Sequence, residues 1–252
     1  MTNVDLSLMR GLDLFSGIGG ITKALDGYVR PVAYCEIEPY ARGVLLSRMH
    51  SGDIPLAPIW DDVLTLRGAM LPQIDIIYGG FPCQHISSTG HGAGLGGKRS
   101  GLFFEIMRLA KEIKPAFLFL ENVCAITRRG GPSIARIITE MGYDCRWCVI
   151  SAEGLMAPHK RERWFLLAHS NSKSSGETNK KTFTQSREQA SWLRHSRSNW
   201  RDGFGKHWKE NKCPPFGMDD GLQFELDRAR ALGNSVCPQQ AREAFKVLMG
   251  LK

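Results

Sequence analysis

The segment GGFPCQHIS, Gly79–Ser87, contains the residue of this sequence best suited to covalent chemistry, Cys83. A cysteine that directly follows a proline could be a buried apolar residue, a metal ligand, half of a disulfide, or a nucleophile. The chain has 7 cysteines, and an odd number argues against a complete disulfide framework. Cys145 and Cys148 have metal-ligand spacing but no second pair at similar spacing, so we expect structural thiols and no metal site. Burial and nucleophilic catalysis both remain open for Cys83.

Side chains that could assist a nucleophile occur beside two predicted strands. Glu121 and Asn122 end the apolar run LFLENV, where a carboxyl group is either a polar rim residue or an acid with a raised pKa. Arg161 and Arg163 precede the apolar run WFLL, and residues two apart on an extended segment share a face. A solvated basic face is the alternative interpretation of the two arginines.

A glycine-rich turn, DLFSGIGG from Asp13 to Gly20, lies between a predicted strand and a predicted helix and could receive a ligand. Thr22 stands where the dinucleotide pattern G-x-G-x-x-G requires its third glycine, so that pattern fails. Glu36, at the end of the next strand, is placed to accept hydrogen bonds from ribose hydroxyls, and Asp62-Val63 follows a third strand. These features indicate a nucleoside-containing ligand without a pyrophosphate. A turn that needs glycine only for its shape is the equally weighted alternative.

The elements that position these residues alternate between strand and helix over the first two thirds of the chain. Continuous apolar strands such as IDIIYGG and AFLFLENV alternate with helical patterns such as GLFFEIMRLAKEI and PSIARIITEMGY. This alternation predicts an α/β fold, a mainly parallel sheet with helices on both faces, in which ligands bind at the carboxyl ends of the strands. The C-terminal run CPQQAREAFKVLMGL predicts a helix with Pro238 in its first turn. Its predicted apolar face consists of Ala241, Ala244, Phe245 and Leu248.

Charge divides the chain into three regions. We predict a catalytic and cofactor-binding domain at 1–168, a basic insert at 169–217, and a segment at 218–252 that returns to the first domain. The net charge is +8, and residues 169–216 hold ten Lys or Arg against four Asp or Glu, together with Trp192, Trp200 and Trp208. This basic balance favours a polyanionic partner. The N-terminal ten residues lack the apolar core of a signal peptide and no apolar run could span a bilayer, so we expect a cytoplasmic protein without membrane attachment.

Five segments occur in the order DLFSGIGG, GGFPCQHIS, LFLENV, HKRER and ALGNSV. Each is short, but in this order and spacing they closely resemble the DNA (cytosine-5)-methyltransferase family, and its short, phage-like members in particular. The resemblance covers the chain from about Leu12 to the C-terminal helix, apart from the basic insert. It implies a Rossmann-like, S-adenosylmethionine-dependent methyltransferase fold with a seven-stranded sheet. It also implies transfer of a methyl group from S-adenosylmethionine to C5 of a flipped-out cytosine in double-stranded DNA.

The resemblance assigns roles to individual residues. Cys83 would attack C6 of the cytosine, Glu121 would protonate or hydrogen-bond N3, and Arg163, with Arg161 nearby, would hold O2. Gln84, Ser87 and Asn122 would contact the substrate. The cofactor-binding residues implied are Phe15, Ser16, Gly17, Ile18, Gly19, Gly20, Glu36, Ile37, Asp62, Val63, Gly80, Pro82, Leu102, Asn234 and Ser235.

Three other functions compete with methylation of DNA. The same chemistry on RNA is one, a catalytically silent DNA-binding module is the second, and a nucleotide-level pyrimidine enzyme with a Pro-Cys nucleophile is the third. The sequence also departs from the family, since His159 replaces a usual glutamine and His85 has no assigned role. The insert is short for a target-recognition domain, so sequence specificity could depend on a partner. We expect a monomer, with a cognate restriction endonuclease acting on the same DNA site but not contacting this chain.

Overall fold

The computed structural model describes residues 8–82, 101–155, 157, 160–171, 227 and 231–251. Within these residues, seven strands form one sheet with the order β3-β2-β1-β4-β5-β7-β6. The strands are β1 (Met9–Leu14), β2 (Val29–Cys35), β3 (Ile59–Trp60), β4 (Ile76–Gly80), β5 (Phe117–Val123), β6 (Tyr143–Ser151) and β7 (Glu162–Ser170). The first five strands are parallel to one another, and β7 runs antiparallel to both of its neighbours, β5 and β6.

Helices cover both faces of this sheet. They are α1 (Gly20–Ala24), α2 (Pro39–His50), α3 (Gly101–Ile113), α4 (Ile126–Arg129), α5 (Gly131–Glu140) and α6 (Pro238–Met249). On β5, Leu118 and Leu120 belong to the core shared with α3 and α5, whereas Phe119 faces the core shared with α1 and α6. Successive strand residues therefore point to opposite covered faces, which explains the continuous apolar runs. The predicted mainly parallel sheet with helices on both faces is confirmed.

The second strand begins earlier than its sequence suggests. The pattern predicts a strand over Pro31–Ile37, but β2 covers Val29–Cys35 and includes Pro31. Proline has no N–H to donate to a sheet, and β3 pairs only with Tyr34 and Cys35, which leaves that side of Pro31 without a partner strand. The register with β1 also shifts beside this proline, between Gly11 and Leu12.

The C-terminal helix α6 is found where the sequence predicts it, with Pro238 in its first turn. The four residues of its predicted apolar face are all buried. The ring of Phe245 meets that of Phe119 edge-on, with 5.3 Å between centroids. Arg242 donates from Nη1 to the carbonyl oxygens of Ala24 (3.0 Å) and Asp26 (2.8 Å), which ties α6 to the end of α1.

The sequence also led to expectations for the cysteine pair Cys145 and Cys148 and for the basic insert. The apolar and polar pattern of residues 143–151 also predicts a strand, and Cys145 and Cys148 lie on strand β6. The basic insert falls almost entirely outside the described residues, so the division into three regions remains a prediction. Across the described ranges, no helix combines the length and apolar character needed to cross a membrane.

Candidate active site

The carboxyl ends of β1, β2, β4 and β5 lie at one edge of the sheet, because these strands are parallel. Strand β7 runs the other way and therefore begins at this edge, with Arg163 opposite Val123. The edge thus brings together the glycine turn after β1, Glu36 after β2, Gly80 at the end of β4 and Glu121 on β5. Cys83, Gln84 and Ser87 lie outside the described residues, as do His85 and His159.

The glycine turn after β1 has an unusual backbone held by Glu36. Phe15, Gly17 and Gly19 have φ angles of 55°, 54° and 80°, a left-handed region that glycine adopts at little cost. The Gly17 N–H donates to Oε2 of Glu36 (2.7 Å), and the Glu38 N–H donates to Oε1 (2.8 Å). No atom lies within 4 Å of a Cβ built on Gly17, so open space adjoins the turn. A ligand can therefore approach the turn at Gly17, next to the largely buried Glu36 carboxylate.

Thr22, the residue that breaks the dinucleotide pattern, belongs to a buried polar cluster beneath this turn. Its Oγ1 donates to Oδ2 of Asp13 (2.6 Å) and lies 2.8 Å from the hydroxyl oxygen of Tyr78. Burial raises the pKa of Asp13 to about 7, against the opposing effect of hydrogen bonds from Thr22 and Ser16. The cluster links α1 to β1 and β4, so the departure from glycine supplies a tie between the helix and the sheet.

Arg48 on α2 supports the outer side of the turn. Its Nη1 donates to the carbonyl oxygen of Ile18. Asp53 fixes the same guanidinium through an ion pair of 2.6 Å and also pairs with Lys23 at 2.9 Å. Sequence reasoning missed Arg48, because nothing in the pattern of α2 shows that its polar face meets the turn.

Glu121 and Arg163 form a mostly buried ion pair at the end of β5. The Nε of Arg163 lies 2.9 Å from Oε1 of Glu121, and the side chains are 16% and 10% exposed, respectively. Strand pairing explains the contact, since Glu121 is opposite Phe165 and Arg163 is the diagonal neighbour on the same face. Burial raises the pKa of Glu121 to about 7, even though the charges of Arg163 and Arg161 act to lower it.

Gly80 and Asn122 shape the backbone that leads towards Cys83. A Cβ at Gly80 would lie 2.7 Å from Oε2 of Glu121, so glycine leaves room for the carboxyl group. The Nδ2 of buried Asn122 donates to the carbonyl oxygen of Phe81 (2.9 Å). Asn122, predicted to contact the substrate, thus holds the main chain two residues before Cys83 in the sequence.

The C-terminal segment, residues 231–237, reaches the same edge. Arg161 donates to the carbonyl oxygens of Gly233 (3.2 and 3.1 Å) and Ser235 (2.5 Å). The carbonyl oxygen of Val236 would lie 2.7 Å from a Cβ on Gly20, so the segment packs directly against the glycine turn. The predicted cofactor residues Asn234 and Ser235 immediately precede Val236 in the sequence.

The other predicted cofactor residues lie after β2, after β3 and at the start of α3. Asp62 follows β3 and accepts the Leu64 N–H through Oδ1 (2.9 Å). Val63 is buried, whereas Ile37 is 63% exposed. Leu102, at the start of α3, packs against the core beside the sheet.

A glycine turn after β1, an acidic residue after β2 and, among the described strands, one reversed strand β7 are typical of the Rossmann-like fold of S-adenosylmethionine-dependent methyltransferases. The family model described as C-5 cytosine-specific DNA methylase matches residues 9–214. The chain therefore belongs to the C-5 cytosine-specific DNA methylase family.

Individual relatives agree with this assignment. Type II methyltransferase M.CviJI of Paramecium bursaria Chlorella virus IL3A is 32% identical over 238 residues, which are 94% of this chain and 58% of that protein. Type II methyltransferase M2.BsuMI of Bacillus subtilis (strain 168) is 34% identical over 170 residues, 64% of this chain and 42% of that protein. The chain thus spans about half the length of these curated relatives.

A solved structure supports the fold. The crystal structure of the S. pombe Dnmt2 methyltransferase superposes with a TM-score of 0.52 over 67% of this chain and 53% of that one, at 24% identity. At this identity the likeness concerns the fold alone. The class predicted from the sequence motifs is confirmed by the family match, whereas the roles of the individual site residues remain predictions.

Proposed function

We propose that this chain transfers a methyl group from S-adenosylmethionine to C5 of cytosine in double-stranded DNA, through a covalent bond between Cys83 and C6. The observation that carries the proposal is the buried Glu121–Arg163 pair, in which the carboxyl pKa is about 7. A carboxyl group with this pKa can hold a proton at neutral pH and donate it to a ring nitrogen. Arg163 beside it supplies donors for a carbonyl oxygen such as O2 of cytosine.

The residues of the glycine turn fit S-adenosylmethionine better than a dinucleotide. The Gly17 N–H is already donated to Glu36, so it is not available for a phosphate, and the carboxylate would repel one. Each carboxylate oxygen has a second lone pair, so Glu36 can still accept hydrogen bonds from two ribose hydroxyls. Exposed Ile37 offers apolar contact for an adenine. When bound, the cofactor supplies an electrophilic methyl group on a sulfonium.

The protein's own residues then account for the reaction at cytosine. The Cys83 thiolate forms a bond to C6 while the ring electrons move towards N3, which takes the proton held by Glu121. C5 becomes enamine-like and forms a bond to the methyl group as the bond between that methyl group and the sulfonium sulfur breaks. A base then removes the C5 proton, the C5–C6 double bond reforms, and the Cys83 sulfur leaves as thiolate. N3 returns its proton to the Glu121 carboxylate, which restores the acid.

Access to C6 requires the cytosine to leave the base stack, because both faces of a stacked base are covered. We assign DNA binding and target recognition to the basic insert at 169–217, since Lys and Arg neutralise phosphates. We propose that residues 1–168 and 218–252 form the catalytic and cofactor-binding part. We also propose that the protein acts as a cytoplasmic monomer, and that its functional partner is a restriction endonuclease that cuts the same site when it is unmethylated.

One labelling experiment tests the substrate. The protein is supplied with methyl-labelled S-adenosylmethionine and, separately, duplex DNA, transfer RNA or deoxycytidine monophosphate. Label in 5-methylcytosine of the duplex is expected, whereas label on RNA or on the free nucleotide alone would replace the proposal with one of its competitors. No transfer to any of them, with DNA binding retained, would favour the silent binding module.

A trapping experiment tests the covalent step. Duplex DNA containing 5-fluorocytosine should form a stable adduct with the protein, because fluorine cannot leave as a proton. Cys83→Ala should abolish the adduct. Cys124→Ala is the matched control, since Cys124 is a partly buried thiol just after β5, and it should leave adduct formation intact. An adduct formed by the Cys83→Ala variant would refute the role of Cys83.

A further inference from the structure

The two arginines before and within β7 have different partners, and this difference suggests a role for Arg161 that family resemblance does not assign. Arg163 pairs with Glu121, whereas three donor contacts of Arg161 reach carbonyl oxygens of the C-terminal segment. We propose that Arg161 is a positioning residue that holds the C-terminal segment against the glycine turn and so completes the cofactor pocket. This inference rests on the proposed function for the identity of the cofactor.

The main chain of Arg161 is itself fixed, so the guanidinium starts from a defined point. The carbonyl oxygen of Arg161 accepts the Ala152 N–H (2.9 Å) and Nε2 of Gln240 (2.5 Å). Gln240 is fully buried on α6 and donates from the same nitrogen to the carbonyl oxygen of Ile150 (2.9 Å). The side-chain amide of Gln240 thus ties α6 both to strand β6 and to Arg161, the residue just before β7.

The segment held by Arg161 contacts two parts of the site. The main chain of Val236 packs against Gly20 at the start of α1, where a Cβ would be 2.7 Å from its carbonyl oxygen. The Val236 side chain would lie 3.9 Å from a Cβ on Gly80, at the end of β4. The segment therefore packs against the start of α1 and approaches the end of β4.

The guanidinium acts here as a bridge between two carbonyl oxygens. Gly233 lies in a helical turn, residues 231–234, whose last carbonyl groups need donors from outside the helix, and Ser235 directly follows this turn. A planar guanidinium can satisfy both at once, whereas a lysine ammonium has no such fork. Because hydrogen bonds from a charged donor are stronger than neutral ones, their loss should loosen the segment measurably.

The effect on the segment itself can be measured without any ligand. Hydrogen exchange read by mass spectrometry on the peptide covering 231–237 should be about tenfold faster in Arg161→Ala than in the wild type. The exchange rate of this peptide in Arg161→Lys should lie between the rates in the wild type and in Arg161→Ala. The matched control is Arg242→Ala, which removes another guanidinium bonded to two carbonyl oxygens, those of Ala24 and Asp26, but should leave this peptide unchanged.

Cofactor binding gives the second readout. The Kd for S-adenosylmethionine and its KM should rise about tenfold in Arg161→Ala, while kcat at saturating cofactor falls much less. A base-contacting role predicts the reverse, with kcat reduced and the cofactor Kd unchanged, and would overturn the inference. Unchanged exchange of 231–237, or equal acceleration in Arg242→Ala, would also overturn it. If the wild type binds cofactor but methylates no DNA, the proposed function fails while exchange and Kd still decide the role of Arg161.

Discussion

Nε of Arg163 lies 2.9 Å from Oε1 of Glu121, yet the carboxyl pKa is about 7 because burial outweighs the nearby positive charge. The balance matters for catalysis, since a fully exposed carboxylate beside an arginine would be ionised at neutral pH and unable to donate a proton. Burial and the arginine charge together hold the carboxyl group near the pH at which general acids work best.

Glu121→Gln should reduce single-turnover methyl transfer by about a hundredfold, since an amide cannot release the proton. In the wild type, the rate should fall as pH rises through about 7, where Glu121 loses its proton. The variant should lack this alkaline decline, which rapid-quench assays across pH would reveal. Glu162→Gln, which neutralises an exposed carboxylate at the start of β7, is the control and should keep both rate and profile. An unchanged alkaline decline in Glu121→Gln would assign it to another group.

The fold was more predictable than the site. Alternating apolar patterns located the strands because each buried strand needs apolar residues on both faces, as Leu118 and Phe119 illustrate. Glu121 and the arginines were found because polar residues at the ends of such strands are conspicuous. Gln240 could also have been found, since helical spacing places it on the same face as buried Ala244. Arg48 could not, because its contact with Ile18 depends on how α2 packs, which periodicity does not determine.

Asp13 should make the protein less stable as pH rises. Its folded-state pKa of about 7 is above its unfolded-state value of about 3.9. The folded state therefore binds more protons between about pH 4 and pH 7, and the free energy of unfolding declines across this window. Asp13→Asn can still accept the Thr22 hydroxyl but does not ionise, so urea unfolding at several pH values should give a shallower decline. The remaining dependence of the unfolding free energy on pH should include a contribution from Glu121, because burial raises its pKa as well. An identical slope in Asp13→Asn would show that Asp13 does not titrate in this range.

Gly80→Ala should impair methyl transfer while leaving the fold intact. The added methyl group would lie 2.7 Å from Oε2 of Glu121 and would displace the carboxyl group from Arg163. We expect a loss of at least about tenfold in kcat, since small displacements of catalytic groups have large effects. Gly43→Ala is the control, because a Cβ there meets no atom within 4 Å, and it should stabilise α2 by about 0.5–1 kcal/mol. Normal activity in Gly80→Ala would mean that Glu121 adapts without cost.

Salt dependence should locate the DNA-binding surface. If the basic insert contacts phosphates, replacing four of its Lys or Arg residues between Lys173 and Lys212 by Ala should weaken binding and reduce the salt slope by about four. Arg30→Ala is the control, since Arg30 is exposed near the start of β2, at the edge of the sheet away from the site. Fluorescence anisotropy of labelled duplex DNA from low to high salt would measure both the affinity for DNA and its salt slope. If the salt slope of DNA binding does not change when these charges are removed, the DNA phosphates contact another surface of the protein.

Arg48→Ala should weaken binding of S-adenosylmethionine although Arg48 lies behind the glycine turn. Without the guanidinium, the Ile18 carbonyl loses its tie to α2, and Asp53 loses one of its two ion-pair partners. The turn must then be ordered by the ligand, and that cost should raise the cofactor Kd about tenfold by calorimetry. Arg136→Ala removes an exposed arginine whose ion pair with Glu140 is 3.9 Å long, and it should leave the Kd unchanged. Equal affinities in the two variants would show that Glu36 and the C-terminal segment suffice to hold the turn.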